Sequence, residues 1–142
     1  MAFSTTFRSS IAGLIFTATA IADIADNDAT SPITNIQISL HESDPTSGNQ
    51  TTGEGNYTSY ARVAVARTTS GYTDTAGVVT NDAAITFPAC TGGSDTISHV
   101  GNGTASSGSG VLIVAGALTA SLSVSNGITP QFSISSLTVT IA

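Results

Sequence analysis

The chain has 142 residues, with three Lys or Arg against nine Asp or Glu, a formal net charge of −6, and only 8% charged but 40% hydrophobic residues. That length suits one ordinary domain with a core of its own, kept soluble by Ser, Thr, Asn and Gly rather than by charge. So few cations exclude direct nucleic-acid binding, which relies on several of them against the phosphates, and the single cysteine, Cys90, excludes an internal disulfide and is expected to be a buried, inert thiol.

The first predicted element is a helix. Phe7, Ile11, Leu14, Ile15, Ala18, Ala22 and Ala25 recur at steps of three and four, which gathers them on one face, and Ser4, Thr5 or Thr6 could cap the start. The same stretch imitates a secretory signal through Arg8, an apolar run and Ala18-x-Ala20. A signal core should be apolar all round, whereas Thr17 and Thr19 interrupt this one and the helical period runs on to Asp26, so an amphipathic helix is the expectation. Neither 11–22 nor 111–122 reaches the roughly 20 strongly apolar residues needed to span a bilayer. No membrane partner is expected.

Residues 26–32, DNDATSP, stop that helix and open a turn. The stretch imitates a calcium loop with Asp26, Asp28 and Thr30, but lacks the glycine and the closing glutamate of one. Beyond it the period becomes two: Ile36, Ile38 and Leu40 alternate with polar neighbours, as do Leu118, Ala120, Leu122 and Val124, and then Leu137, Val139 and Ile141. Each run predicts a strand with one dry and one wet face. Further strands are predicted at 60–68, 77–79, 84–87, 96–100 and 111–115, joined by Gly-rich turns at 48–56, 91–95, 101–110 and 125–130. The pattern predicts a mainly β chain: an antiparallel β-sandwich or jelly roll (29–142) after an N-terminal helical segment (1–28), in one compact domain.

Clusters that imitate chemistry have simpler readings. In LHESDP, strand alternation sends His41 and Glu42 to opposite sides, and Asp44-Pro45 opens a turn. His99 lies far away in sequence, and so many serines make any Ser-His-Asp grouping uninformative. The run GNGTASSGSG lacks the lysine of a phosphate loop and reads as a flexible hairpin connection. The Asn-x-Thr triplets at Asn49, Asn56 and Asn102 arise by chance in a Thr-rich chain. No catalytic residue, metal or cofactor is predicted, and the chain is not expected to be an enzyme.

Arg62 and Arg67 stand five positions apart, so on a regular strand they face opposite sides of a sheet. Each either pairs with a carboxylate of its own subunit or crosses to another subunit, where Arg is favoured. With hardly any charge to protect its strand edges, the chain is expected to be a homo-oligomer, a dimer or trimer, with edges covered by partners.

The runs ISLHESDPTSGNQTTGEGNYTSYARVAVART, AAITFPACTGGSDTISHVGNGTASSGSGVLIVAGAL and SLSVSNGITPQFSISSLTVTIA resemble a family of small tailed-bacteriophage virion structural proteins, labelled head decoration (cement) or tail-fibre-like. The features that carry the resemblance are Leu40-His41 with Asp44-Pro45, Tyr60-Ala61-Arg62, Phe87-Pro88-Ala89, and Gly127 through Phe132 to Leu137–Thr140. It implies a non-enzymatic component of the virion. A chain this short has no room for a shaft or coiled coil, which favours a decoration protein on the outer surface of the capsid, straddling capsomer seams with the major capsid protein as partner and stabilising the DNA-filled head. In that reading Phe7, Ile11, Leu14, Ile15, Tyr60, Arg62 and Arg67 are interface residues. The alternative is a tail-associated or fibre-like protein that binds a host-surface glycan, with Tyr57, Tyr60 and Tyr72 as stacking faces. A glycoside hydrolase would need two placed carboxylates, and no motif pairs them.

Overall fold

The computed structural model describes residues 4–21 and 33–141. They fold into one helix, α1 (Thr5–Phe16), and nine strands: β1 (Asn35–His41), β2 (Val63–Ala66), β3 (Tyr72–Thr75), β4 (Val78–Asn81), β5 (Ile85–Thr86), β6 (Ser94–Gly103), β7 (Leu112–Ser125), β8 (Gln131–Phe132) and β9 (Thr138–Thr140). The chain is mainly β with antiparallel sheets and one short helix, as the alternation predicts. It divides into two compact units, one drawn from Met1–Asn35, Ala66–Ile85 and Phe132–Ala142, the other from Ile36–Val65 and Thr86–Gln131.

The first unit holds α1 and the antiparallel sheet β3-β4-β9. Ser4 occupies the cap position, its carbonyl accepting the first helical N–H from Arg8 at 3.0 Å. The helix ends at Phe16 rather than running on to Asp26. The reason is local: the Gly13 carbonyl takes the N–H groups of Thr17 and Thr19, each at 3.0 Å, and also the Thr17 hydroxyl at 2.9 Å. Ala18 then turns left-handed at φ 56°. The buried face also differs from the expected one. Ala12 and Phe16, one turn apart, are fully buried, whereas Ile11, Leu14 and Ile15 are half-buried. Ala22, Ala25 and the DNDATSP turn lie outside the described residues, as does the side chain of Phe7.

Phe16 packs edge-on against Tyr72 of β3 with ring centroids 5.1 Å apart, which fixes the helix on its sheet. β3 and β4 form a hairpin whose two-residue turn, Ala76-Gly77, has φ of 55° and 85°. Both residues being left-handed matches the twist of the flanking strands. The fully buried Asn81 ties the unit together: its amide donates to the Ala83 and Ser133 carbonyls at 2.7 and 2.8 Å, and its Oδ1 accepts the Leu137 N–H at 2.9 Å.

The second unit carries the four-stranded sheet, in the order β2-β1-β6-β7. Ile36, Ile38 and Leu40 are buried as predicted, but β1 has no wet face, since Ser39 and His41 are also 0% exposed. Polar residues in a central strand become tolerable when each finds a partner. β7 shows the opposite departure. Of the predicted dry face Leu118, Ala120, Leu122 and Val124, only Val124 is buried, and Leu122 is 36% exposed. The pairing Ile97↔Leu122 is followed by His99↔Ala117, so four residues of β7, Leu118 to Ser121, stand opposite the single residue Ser98. That wide bulge carries the strand away from the register its alternation implies.

Candidate functional site

Among the described residues, a dense polar network lies in the second unit, where two long loops are fastened together. Glu54 Oε1 accepts Arg62 Nε at 2.6 Å and Glu54 Oε2 accepts an Arg62 terminal nitrogen at 2.7 Å, a two-pronged pair. The same guanidinium donates to the carbonyls of Ala105 and Gly108, each at 2.7 Å, leaving its side chain 2% exposed. Tyr60 completes the group. Its hydroxyl donates to Glu54 Oε1 at 3.0 Å and accepts the Leu40 N–H at 3.1 Å, and burial pushes the phenol well above its ordinary value.

Gln50 fastens the same loop from another side. Fully buried, it accepts the Ala105 N–H at 2.9 Å and donates to the Ala105 carbonyl at 3.3 Å, while its own N–H reaches the Ser109 carbonyl at 3.0 Å. Space for it depends on two glycines. A Cβ on Gly103 or on Gly110 would stand 2.1 Å from Gln50 side-chain atoms, and Gly110 is also left-handed at φ 44°. Of the run GNGTASSGSG, residues 101–103 close β6 and the rest forms the predicted connection to β7, held to Gln50 and Arg62 by these hydrogen bonds.

Several other polar candidates in this unit are likewise spent internally. Asp95 Oδ2 accepts the N–H groups of Asn56 at 2.6 Å and Tyr57 at 2.9 Å. Asp44 accepts the Thr46 N–H at 2.9 Å and so opens the predicted turn; that hydrogen bond holds its carboxyl below the usual range. His41 Nδ1 lies 2.9 Å from the Thr52 carbonyl and must donate to it, which leaves Nε2 to accept from Ser39 Oγ at 2.8 Å. A serine beside an imidazole has the outline of a nucleophile and base, but both residues are 0% exposed, so no substrate reaches them. Cys90 is a buried thiol donating to the Gly92 carbonyl at 3.2 Å. Among the described residues no group of three His, Cys, Asp or Glu is placed to hold a metal.

The tyrosines do not offer the stacking faces required by a glycan platform. Tyr57 is 3% exposed, donates to the Pro88 carbonyl at 2.9 Å, and has its phenol pushed up to about 12 mainly by burial. Tyr60 stacks on Phe87 and meets Tyr57 edge-on, with centroids 6.4 and 5.4 Å away. Tyr72 is 2% exposed in the first unit.

Arg67 belongs to the first unit, so the two arginines of YARVAVAR serve different units. Its guanidinium donates to the carbonyls of Leu14 and Ile15 at the end of α1, and to Ile33 at 3.3 Å, while its N–H binds the Thr34 carbonyl at 2.9 Å. A cation on the last carbonyls of a helix satisfies groups that have no helical partner and opposes the dipole there. The same unit carries a cleft of about 500 Å³ between α1 and β3, lined by Ser, Thr, Tyr72 and Asp74. Asp74 spends Oδ1 on the Gly77 N–H at 2.9 Å.

Of the seven residues nominated as interface, the structure thus gives Arg62, Arg67 and Tyr60 internal work, leaves Ile11, Leu14 and Ile15 half-buried on α1, and describes no side chain for Phe7. Gln50 and Asp95 were missed. Among the described residues, the most exposed large apolar side chains are Val111 at 64% and Ile134 at 62%. Among the described residues, no helix is long and apolar enough to cross a membrane.

Comparison with protein families matches residues 3–140 to the family described as "Podophage GP4 fiber I protein gp80". A search of curated proteins finds no match. The family match takes in both units almost in full, from the helix to β9. The chain belongs to the podophage GP4 fiber I protein gp80 family and is a structural protein of the phage virion.

Proposed function

We propose that this chain is a non-catalytic building block of a fibre on a short-tailed phage, rather than a decoration protein of the head. The observation that carries this reading is the match over residues 3–140 to a family whose description is a fibre protein. The polar chemistry is consistent with a building block. Glu54, Asp95, Arg62, His41 and Gln50 all hold loops or strands of their own chain. Seam bridging between capsomers, contact with the major capsid protein and a place on the outer capsid surface draw no support from that description. The glycan-binding part of the fibre alternative loses its stacking residues, because Tyr57 and Tyr72 are buried and Tyr60 is packed against Phe87.

Intact virions labelled with gold-conjugated antibody against this chain test the reading by electron microscopy. Gold confined to appendages at the tail vertex is the expected result. Gold spread evenly over the head would overturn it in favour of decoration.

A further inference from the structure

The cleft between α1 and β3 holds about 500 Å³ and lies within the first unit. Its lining is rich in acceptors. Ser10 gives its hydroxyl proton to the Thr6 carbonyl at 3.1 Å, Thr17 to the Gly13 carbonyl at 2.9 Å, and Thr73 to Asp82 at 3.0 Å. With the Thr17 proton so spent, the 2.9 Å contact between the Thr17 and Thr19 hydroxyls is donated by Thr19. Each of these oxygens keeps only lone pairs for an occupant, while the hydroxyls of Thr6, Ser9 and Thr69 can turn to either role. Asp74 adds a half-buried carboxylate. Its Oδ1 takes the Gly77 N–H at 2.9 Å, and among the described residues no cation pairs with it and nothing donates to Oδ2.

Two further features point to an occupant. Tyr72 lines the same cleft, is 2% exposed, and has a hydroxyl with no hydrogen-bond partner among the described residues. Buried polar groups are rarely left unmatched. Gly13 stands inside α1, where glycine weakens a helix relative to alanine. An added Cβ there would meet nothing closer than Thr19 Cβ at 3.5 Å, an ordinary contact. Packing has room for that methyl group, so what the glycine preserves is the open volume of the cleft.

We propose that this cleft is a socket for the ε-ammonium of a lysine on a different virion protein. The unpaired carboxylate and the surrounding lone pairs call for a cation rich in donors. Asp74 selects ammonium over guanidinium, because arginine grips a carboxylate through both oxygens in one plane and Oδ1 is already taken. An ammonium has three donors, which one carboxylate oxygen and scattered hydroxyls can share. A second copy of this chain is a poor source, since the sequence contains no lysine and Arg62 and Arg67 are held by their own chain. The net charge of −6 favours approach of a basic partner. The proposal uses the chain's place in the virion and stands whether that place is a fibre or the head.

Chemical-shift titration of the isotope-labelled full chain with Nα-acetyl-lysine methylamide tests the socket. Saturable shifts are expected at residues 6–20 and 69–74, with β1 and β6 unmoved. Acetylating the probe at Nε, which keeps the stem but removes the charge, is expected to weaken binding by about tenfold or more, and Asp74→Asn by a similar factor. That asparagine retains the oxygen that receives the Gly77 N–H, so the turn survives. Glu42→Gln makes the same change of charge at an exposed residue of the other unit and should leave binding intact. Gly13→Ala should weaken binding while raising the midpoint of thermal unfolding. No saturable binding, an acetylated probe that binds equally well, tighter binding of the arginine counterpart or of glucosamine, or normal binding by Asp74→Asn would each overturn the proposal. In intact virions a carbodiimide, which couples a carboxylate to an amine in contact with it, is expected to join Asp74 to a lysine of another protein. Peptide mapping that finds Asp74 uncoupled would overturn the choice of partner.

Discussion

Glu54 and Arg62 meet fork to fork, at 2.6 Å and 2.7 Å, and the guanidinium extends that grip to two carbonyls of the loop after β6. The pair encloses charge with little water, the Arg62 side chain being 2% and the Glu54 side chain 16% exposed. Removing one partner therefore costs more than the pair contributes, because the other charge is left buried. Arg62→Ala is expected to lower unfolding free energy by about 3 kcal/mol, and amide exchange at residues 104–110 should accelerate with it. Arg62→Lys should recover less than half of the loss, since an ammonium cannot serve two carboxylate oxygens and two carbonyls in one plane. Urea denaturation of the three proteins checks the order. A loss for Arg62→Ala within the range of a surface ion pair, under about 1 kcal/mol, would contradict the buried-staple account.

Arg67 acts on a helix instead of a loop. Its bonds to the Leu14 and Ile15 carbonyls join the end of α1 to a residue more than fifty positions later. Arg67→Ala removes charged hydrogen bonds and the favourable interaction with the helix terminus, together worth about 2 kcal/mol. A twelve-residue helix is marginal on its own, so the loss should appear first as local opening of α1. Hydrogen exchange should show residues 8–16 opening well before β1, β6 and β7. Arg67→Met, which keeps the length of the stem without its donors, should behave like the alanine variant.

What was legible in the sequence was whatever neighbours in sequence decide. The burial of Ile36, Ile38 and Leu40, the Asp44-Pro45 turn and the buried Cys90 all follow from local period or composition. What escaped depends on distant partners. Gln50 sits in a Gly- and Thr-rich run that signals only a turn, and its burial becomes intelligible once Gly103 and Gly110 clear the space around it. Arg67 finds its partners at a helix end that periodicity placed at Asp26, because a competing bond from the Thr17 hydroxyl cannot be read from hydrophobic spacing. The strand β7 was legible, whereas the bulge opposite Ser98, and with it the exposure of Ala120 and Leu122 on the face predicted to be dry, was not.

The β3–β4 hairpin was also missed, since Thr-Ala-Gly-Val lacks the Asn-Gly or Asp-Gly signal of a two-residue turn. Its first turn residue, Ala76, is held at φ 55°, where its Cβ crowds the backbone. Ala76→Gly removes that crowding and is expected to stabilise the chain by about 1 kcal/mol, partly offset by the greater freedom of glycine in the unfolded chain. Ala76→Asn should stabilise it as well, because asparagine tolerates the left-handed region. Gly77→Ala should do the reverse. Its φ is 85°, and an added Cβ would come within 3.0 Å of Arg8 Cβ. Thermal melts of the three variants give the comparison, and an Ala76→Gly variant that melts lower than the native chain would exclude strain at this turn.

His41 gives the fold a pH dependence with a definite sign. Burial is the main influence and holds the imidazole below its ordinary value of 6.5; the Thr52 carbonyl and Glu54 oppose that shift, while Arg62 and His99 reinforce it. The folded state consequently keeps His41 neutral at a pH where the unfolded chain has begun to take up a proton. Unfolding then binds protons, so stability is fully present above pH 6.5 and declines as pH falls from there toward the lower folded value. Asp44, also held low, acts separately, since its loss sets in only below its ordinary value of 3.8. In His41→Asn the amide can still donate to the Thr52 carbonyl but cannot titrate. That variant should be less stable than the native chain at neutral pH, through the poorer fit beside Ser39, yet show a flatter profile between about pH 7 and 5. Urea midpoints taken across that interval decide the matter: parallel profiles for the two proteins would mean that His41 does not carry the slope.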